Sequence, residues 1–161
     1  MKDYLRKYRF KVYIGGVAGA GFNSCTGLSA GSSYTQIREA GALSPVNLFD
    51  GYKFKPIILS KGLTRTDNDA YFWWETSGRM STPAALFNMR NIVIEVHSLS
   101  GKSMKHPLMP PVKYIVYGAQ VEEVRFGDLL ADDDNGELIV VQSIVLVHRG
   151  IQRVQTMGGL I

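Results

Sequence analysis

Cysteine is almost absent: Cys25 stands alone in 161 residues. One thiol excludes an internal disulfide and suits a reducing compartment. No base is identifiable near it, so Cys25 reads as a small core or strand residue and not as a nucleophile. Long apolar runs are missing too, and none approaches the roughly 20 residues of a membrane span. The opening MKDYLRKYRF has charge but no apolar core and no small-residue cleavage site, unlike a secretory signal. Internal repeats and low-complexity tracts are lacking. Charge is thin, at 20% of residues against 45% hydrophobic, which is ordinary for a globular domain. The net charge of +4 is small. It sits partly in Lys2, Arg6, Lys7, Arg9 and Lys11. A nucleic-acid surface wants a longer basic stripe or a recognised module, so a solvated arm, or one docking on an acidic partner, is the better reading. The length fits one domain over 1–161 with a sizeable core.

Catalytic constellations are equally scarce. There are three histidines, His97, His106 and His148. They are too few and too widely spaced for a zinc site. No G-x-S-x-G elbow and no H-E-x-x-H pattern occurs. Gly19-x-Gly21 has no third glycine in place, and the following CTGLSAGSS is a poor helix, so a glycine-rich hairpin turn replaces the nucleotide-loop reading. Gly101-Lys102-Ser103 lacks the upstream glycine of a phosphate loop, because position 96 is Val. Glu122 and Glu123 are adjacent, so in a strand they diverge and form no carboxylate pair. The DDDNG run at 132–136 has turn chemistry without the ligand spacing of a calcium loop. Nothing points to an enzyme, a cofactor or a metal.

What is present centres on Phe54 to Gly78. Ile57, Ile58 and Leu59 form a strand, which Ser60-Lys61-Gly62 is expected to break. Thr66 with Asp69 resembles a capping box, and Asp67 and Asp69 suit the positive end of a helix dipole. Ala70 to Trp74 then predict a short helix near 67–77, with Gly78 as its stop. A helix this short needs packing to persist. Trp73 and Trp74 are therefore expected to pack in a core, in preference to stacking on a ligand.

Around this stretch the pattern is β. Residues 8–14 alternate, with Tyr8, Phe10, Val12 and Ile14 on one face. Residues 22–35 read as a second strand with possible bends at Gly27 and Gly31. Residues 34–53 show little periodicity and are expected to be a long connection. Such loops are unusual in compact domains. Tyr34, Ile37, Leu43, Val46, Leu48, Phe49 and Tyr52 make it too apolar for a free linker, so it should cover a surface of its own chain or of a neighbour. The segment 79–90 looks irregular, with one helical turn at PAALF, and 91–98 is a strand. Residues 100–102 suit a turn, and the prolines at 107, 110 and 111 keep 104–111 extended. The strands 112–126 and 138–149 are the longest. In the latter, Ile139, Val141, Val145 and Val147 occupy one face and Val140, Ile144 and Leu146 the other. A strand with one wet face should alternate apolar with polar. This one must be covered on both sides, by a helix or by another subunit.

Four stretches together resemble the tail-tube protein family of contractile phages and related contractile injection systems. They are YRFKVYI with its following glycine hairpin and Gly27-Leu28; Arg38-Glu39-Ala40-Gly41; Ile57-x-Leu59-x-Lys61-Gly62 running on to Asp69, Trp73 and Trp74; and Ile144-x-Leu146-x-His148-Arg149-Gly150. The family often has an acidic residue where Arg149 stands. Residues 79–90 and 103–111 fit the pattern less well, which leaves open a tube-initiating or tube-ending relative. The resemblance implies a small antiparallel β-barrel or sandwich with one flanking helix. It implies six-membered rings that stack into a hollow tube inside a sheath, between a baseplate or tube initiator and a tube terminator. The lumen would carry DNA or effector proteins, with assembly in the bacterial cytoplasm and no cofactor. Leu59, Lys61, Gly62, Asp69, Trp73 and Trp74 would be motif and core residues. Tyr34, Ile37, Leu43, Leu48, Phe49, Tyr52, Val140, Ile144 and Leu146 would be candidates for subunit contacts. A monomeric β-barrel binding module for oligosaccharide or nucleic acid is the alternative.

Overall fold

The computed structural model describes residues 5–15, 17–18, 21–62, 69–79, 88–98, 111–129 and 139–155. The strands are β1 (Leu5–Ile14), β2 (Val17–Ala18), β3 (Ser24–Thr26), β4 (Gly31–Ile37), β5 (Val46–Lys53), β6 (Ile57–Gly62), β7 (Arg90–Ser98), β8 (Val112–Arg125), β9 (Val141–Val147) and β10 (Gly150–Gln155), with the helix α1 (Asp69–Arg79) between β6 and β7. One sheet has the order β2-β1-β7-β8-β9-β6-β3, with β10 also on β8. Every described pairing is antiparallel. The end strands β2 and β3 do not pair with each other among the described residues, so the body is sandwich-like and not a closed barrel.

β8 makes the sandwich. Its first half pairs with β7 and β10 and its second half with β9. Val112 and Val116 point into the core, then Ala119 and Val121 do. Strict alternation cannot carry a buried face from 116 to 119, so an extra residue must intervene. The ladder to β7 slips there, and Gly118 sits at φ +59°. The stem of Arg149 lies where a side chain on Gly118 would go. The core between the two halves comprises Val12, Ile92, Ile94 and Val116 from one side and Ile57, Leu59, Ile144 and Leu146 from the other. Each such side chain stabilises by about 1.5–3 kcal/mol on full burial.

α1 closes this core through Ala70 and Trp73, which at a spacing of three share one helix face. The indole N–H of Trp73 donates to the carbonyl of Asn88 at 2.9 Å, and Asn88 Nδ2 donates back to the Trp73 carbonyl at 3.3 Å. The Arg90 guanidinium lies 4.8 Å from the Trp73 ring centre. Asp69 provides the acidic first turn.

Several boundaries differ from the sequence reading. Ser60-Lys61-Gly62 does not end β6, because Ser60 Oγ meets Ser143 Oγ at 2.8 Å and Lys61 pairs with Gln142. The described helix runs from Asp69 through Gly78 to Arg79, so Gly78 is not its stop. The strand expected over 22–35 is two strands, broken at Gly27. That residue has φ +87°, and a Cβ on it would collide with the Pro56 carbonyl. The strand expected to reach 149 ends at Val147, and a turn leads into β10, which the sequence pattern did not reveal. The largest correction concerns 34–53. It is no irregular loop but most of a hairpin, β4 with β5, forming a separate two-stranded sheet. Thr66, Asp67, the PAALF segment, residues 100–110 including His106, and the acidic run 132–136 lie outside the described residues.

Candidate functional site

The hairpin has an unusual surface. Tyr34 pairs with Phe49, Thr35 with Leu48, Gln36 with Asn47 and Ile37 with Val46. Successive pairs alternate faces, so Tyr34 and Phe49 lie on one face and Leu48, Ile37 and Val46 on the other. Both faces are apolar and both are wet: Tyr34, Ile37, Val46, Leu48 and Phe49 are all exposed. Tyr52 is 75% exposed, and Leu43 near the tip is fully so. Phe49 stacks edge-on with Tyr34 at 6.0 Å and with Tyr52 at 5.1 Å. A bulge at Ser33/Tyr34, opposite Gly51 at φ +147°, twists the ribbon. The sequence missed the strand pairing because the bulge and the two-faced apolar pattern hide its period of two.

The last-strand candidates divide. Ile144 and Leu146 are 2% and 0% exposed and belong to the chain's own core, so they are corrected from contact candidates to core residues. Gln142 joins them on that face, while Val141 and Val147 on the opposite face are exposed. Val140 is half-buried. Of the motif residues, Leu59, Lys61 and Trp73 are buried, Gly62 is half-buried and Asp69 exposed. Lys61 places its ammonium 5.1 Å from the Phe22 ring centre. Trp74 is the second correction: it is 41% exposed, and only Trp73 is a core anchor. Exposed Phe72 and Phe126 join it in a surface cluster that the sequence reading did not single out. Tyr71 lies 5.8 Å from Trp74 and 6.1 Å from Phe126.

His97 Nε2 approaches Glu95 at 3.5 Å, and Lys113 reaches the same carboxylate at 3.3 Å. His148 bonds to the Lys55 carbonyl at 3.0 Å and lies 5.5 Å from Phe54. Glu122 and Glu123 are exposed at a register shift of β8, with Arg125 3.3 Å from Glu123. Burial pushes the Cys25 thiol up to about 11 from 9.0. The native state thus holds this proton more tightly than the unfolded chain does. That contribution to stability is complete below about pH 9 and is lost as pH climbs towards 11. At neutral pH Cys25 stays a protonated thiol, unsuited to nucleophilic or metal chemistry.

Comparison with known proteins gives one family and several folds. A family model described as T4-like virus tail tube protein gp19 matches residues 6–152. A chain in the cryo-EM structure of the anti-feeding prophage tube-terminating cap is 19% identical, with a TM-score of 0.75 over 97% of this chain and 94% of that one. A chain of the PVC extracellular contractile injection system sheath/tube terminator, in the extended state, is 18% identical with a TM-score of 0.76, covering 96% and 99%. One from the sheath-tube complex of the PVC system is 18% identical with a TM-score of 0.74, covering 94% and 91%. These chains share the fold. No curated protein matches. The family match extends from β1 into β10 and takes in the helix, the hairpin and the bent sheet, and this chain belongs to the T4-like virus tail tube protein gp19 family.

Proposed function

We propose that this chain is a structural subunit of the inner tube of a contractile tail or contractile injection system. The whole chain acts as one domain. Six copies close a ring, and rings stack into a hollow tube within a sheath. A baseplate or tube initiator lies at one end and a terminator at the other. The tube assembles in the bacterial cytoplasm, becomes part of the particle and delivers DNA or effector proteins through its lumen. Its work is mechanical, with no catalytic group and no cofactor. The observation that carries this reading is the β4–β5 hairpin, apolar on both faces and left exposed among the described residues. A two-stranded ribbon is marginal alone in water, and an exposed apolar surface of this kind marks an interface. Tyr34, Ile37, Leu43, Leu48, Phe49 and Tyr52 are the proposed contact residues, with the half-buried Val140 just before β9.

Negative-stain microscopy of the purified protein is the test. Rings or tubes of uniform width are expected, and a monodisperse monomer at high concentration would refute the reading. Leu48→Asp or Phe49→Asp is expected to abolish assembly while leaving the circular dichroism spectrum unchanged. Unfolding of these variants instead would make the hairpin part of the chain's own core.

A further inference from the structure

The β4–β5 hairpin leaves the body through two short connectors. β3 ends at Thr26 and β4 begins at Gly31, while β5 ends at Lys53 and β6 begins at Ile57. Neither hairpin strand pairs with the main sheet. A ribbon joined in this way takes its direction from whatever holds its connectors. On the first connector Leu28 packs against the core. On the second, the Phe54 ring lies over Gly150 and 5.5 Å from the ring of His148. The next residue, Lys55, accepts at its carbonyl from His148 Nε2 at 3.0 Å. A carbonyl only accepts, so this ring nitrogen carries the proton. Among the described residues it is the one side-chain hydrogen bond between residues 28–56 and the rest of the chain.

His148 itself stands on a fixed platform. It lies in the turn between β9 and β10, where the Arg149 backbone N–H donates to the Tyr117 carbonyl at 2.9 Å. The Arg149 stem lies against Gly118, whose own N–H donates to Asn91 Oδ1 at 3.2 Å. The turn is thereby tied to the bend of β8. His148 Nδ1 is buried with no partner, so the other edge of the ring makes no competing hydrogen bond. The imidazole thus bridges the bend of the sandwich and the base of the hairpin.

We propose that His148 is a positioning residue for assembly, whose hydrogen bond to the Lys55 carbonyl sets the direction in which the hairpin leaves the body. This rests on the tube-subunit reading and adds what aims the hairpin. Lys55 is exposed, so water can take over the bond at little cost to folding. Direction is less forgiving. The seven paired positions of the hairpin span roughly 20 Å, so a tilt of about 10° at the base moves the tip by roughly 3–4 Å.

Two substitutions separate the donor from the ring. His148→Phe keeps a ring beside Phe54 and removes the donor, whereas His148→Gln brings an amide N–H to the place of Nε2. His148→Phe is expected to lower the sedimenting, assembled fraction at least about fivefold, with the circular dichroism spectrum unchanged. His148→Gln restores most of it. Full assembly of His148→Phe, or a His148→Gln protein that fails as badly, overturns the proposal and leaves the tube reading standing. Direction is read separately, by distances between spin labels in a Cys25→Ser, Phe49→Asp chain that stays unassembled. Labels on Glu39→Cys, beyond the end of β4, and on Asp128→Cys, in the exposed segment after β8, should give one narrow distance. Adding His148→Phe should broaden or shift it, and adding His148→Gln should not. Unchanged distances in His148→Phe overturn the positioning role even where assembly is lost. A wild type that never assembles refutes the tube reading, and the label distances then decide by themselves whether His148 aims the hairpin.

Discussion

Two neighbouring tryptophans have opposite fates here, because one helical step of about 100° turns a side chain from the sheet to the solvent. Trp73 is 3% exposed, bonds Asn88 and lies under Arg90. Trp74 is 41% exposed, and its described ring partner is Tyr71. Truncating a buried aromatic forfeits its transfer energy and leaves a cavity, so Trp73→Ala should destabilise by about 3–5 kcal/mol in denaturant unfolding. Trp74→Ala should stay within about 0.5 kcal/mol in the monomer. A stable Trp73→Ala protein that merely fails to assemble would move the buried face of α1 to an interface. Ala70 and Trp73 were legible in the sequence as packing residues. Nothing in a local pattern told which tryptophan faced inward, since that depends on where β8 lies.

At the scale of elements the hairpin and the bent sheet behave differently. Strand β8 is paired on both edges over its first half and with β9 over its second, and it contributes Val112, Val116, Ala119 and Val121 to the core. β4 and β5 pair with each other and carry exposed side chains from Tyr34 to Asp50. Amide protection follows burial and cooperative hydrogen bonding. Hydrogen exchange by mass spectrometry should therefore show residues 31–53 exchanging far faster than 112–121 in the monomer, and becoming protected on assembly. Equal protection of both in the monomer would mean that the hairpin is held by its own chain. The β6 run, the opening strand and the length of β8 were readable because apolar residues recur at the strand period. The hairpin escaped because a bulge and two apolar faces erase that period, and β10 escaped because Gly150 to Gln155 alternates too weakly to be separated from the strand before it.

For the molecule as a whole, stability and assembly are linked. If neighbours cover the hairpin, association binds the folded chain only and raises its apparent stability by mass action. The melting midpoint should then climb with protein concentration for the wild type and stay flat for Phe49→Asp. A wild-type midpoint independent of concentration would uncouple folding from this surface. The sequence by itself determined that the chain is mainly β with one helix, since strand and helix periods are local properties of side-chain order. Its four motif stretches also carried the resemblance to the tail-tube family, from which the structural role was read. Only the tertiary structure decided which apolar residues were spare. Ile144 and Leu146 disappeared into the core while Leu48, Phe49 and Trp74 were left outside. The physical reason is that a one-dimensional pattern records how apolar a face is. Whether that face is covered depends on strand order, on register and on the bend at Gly118, which only the assembled fold supplies.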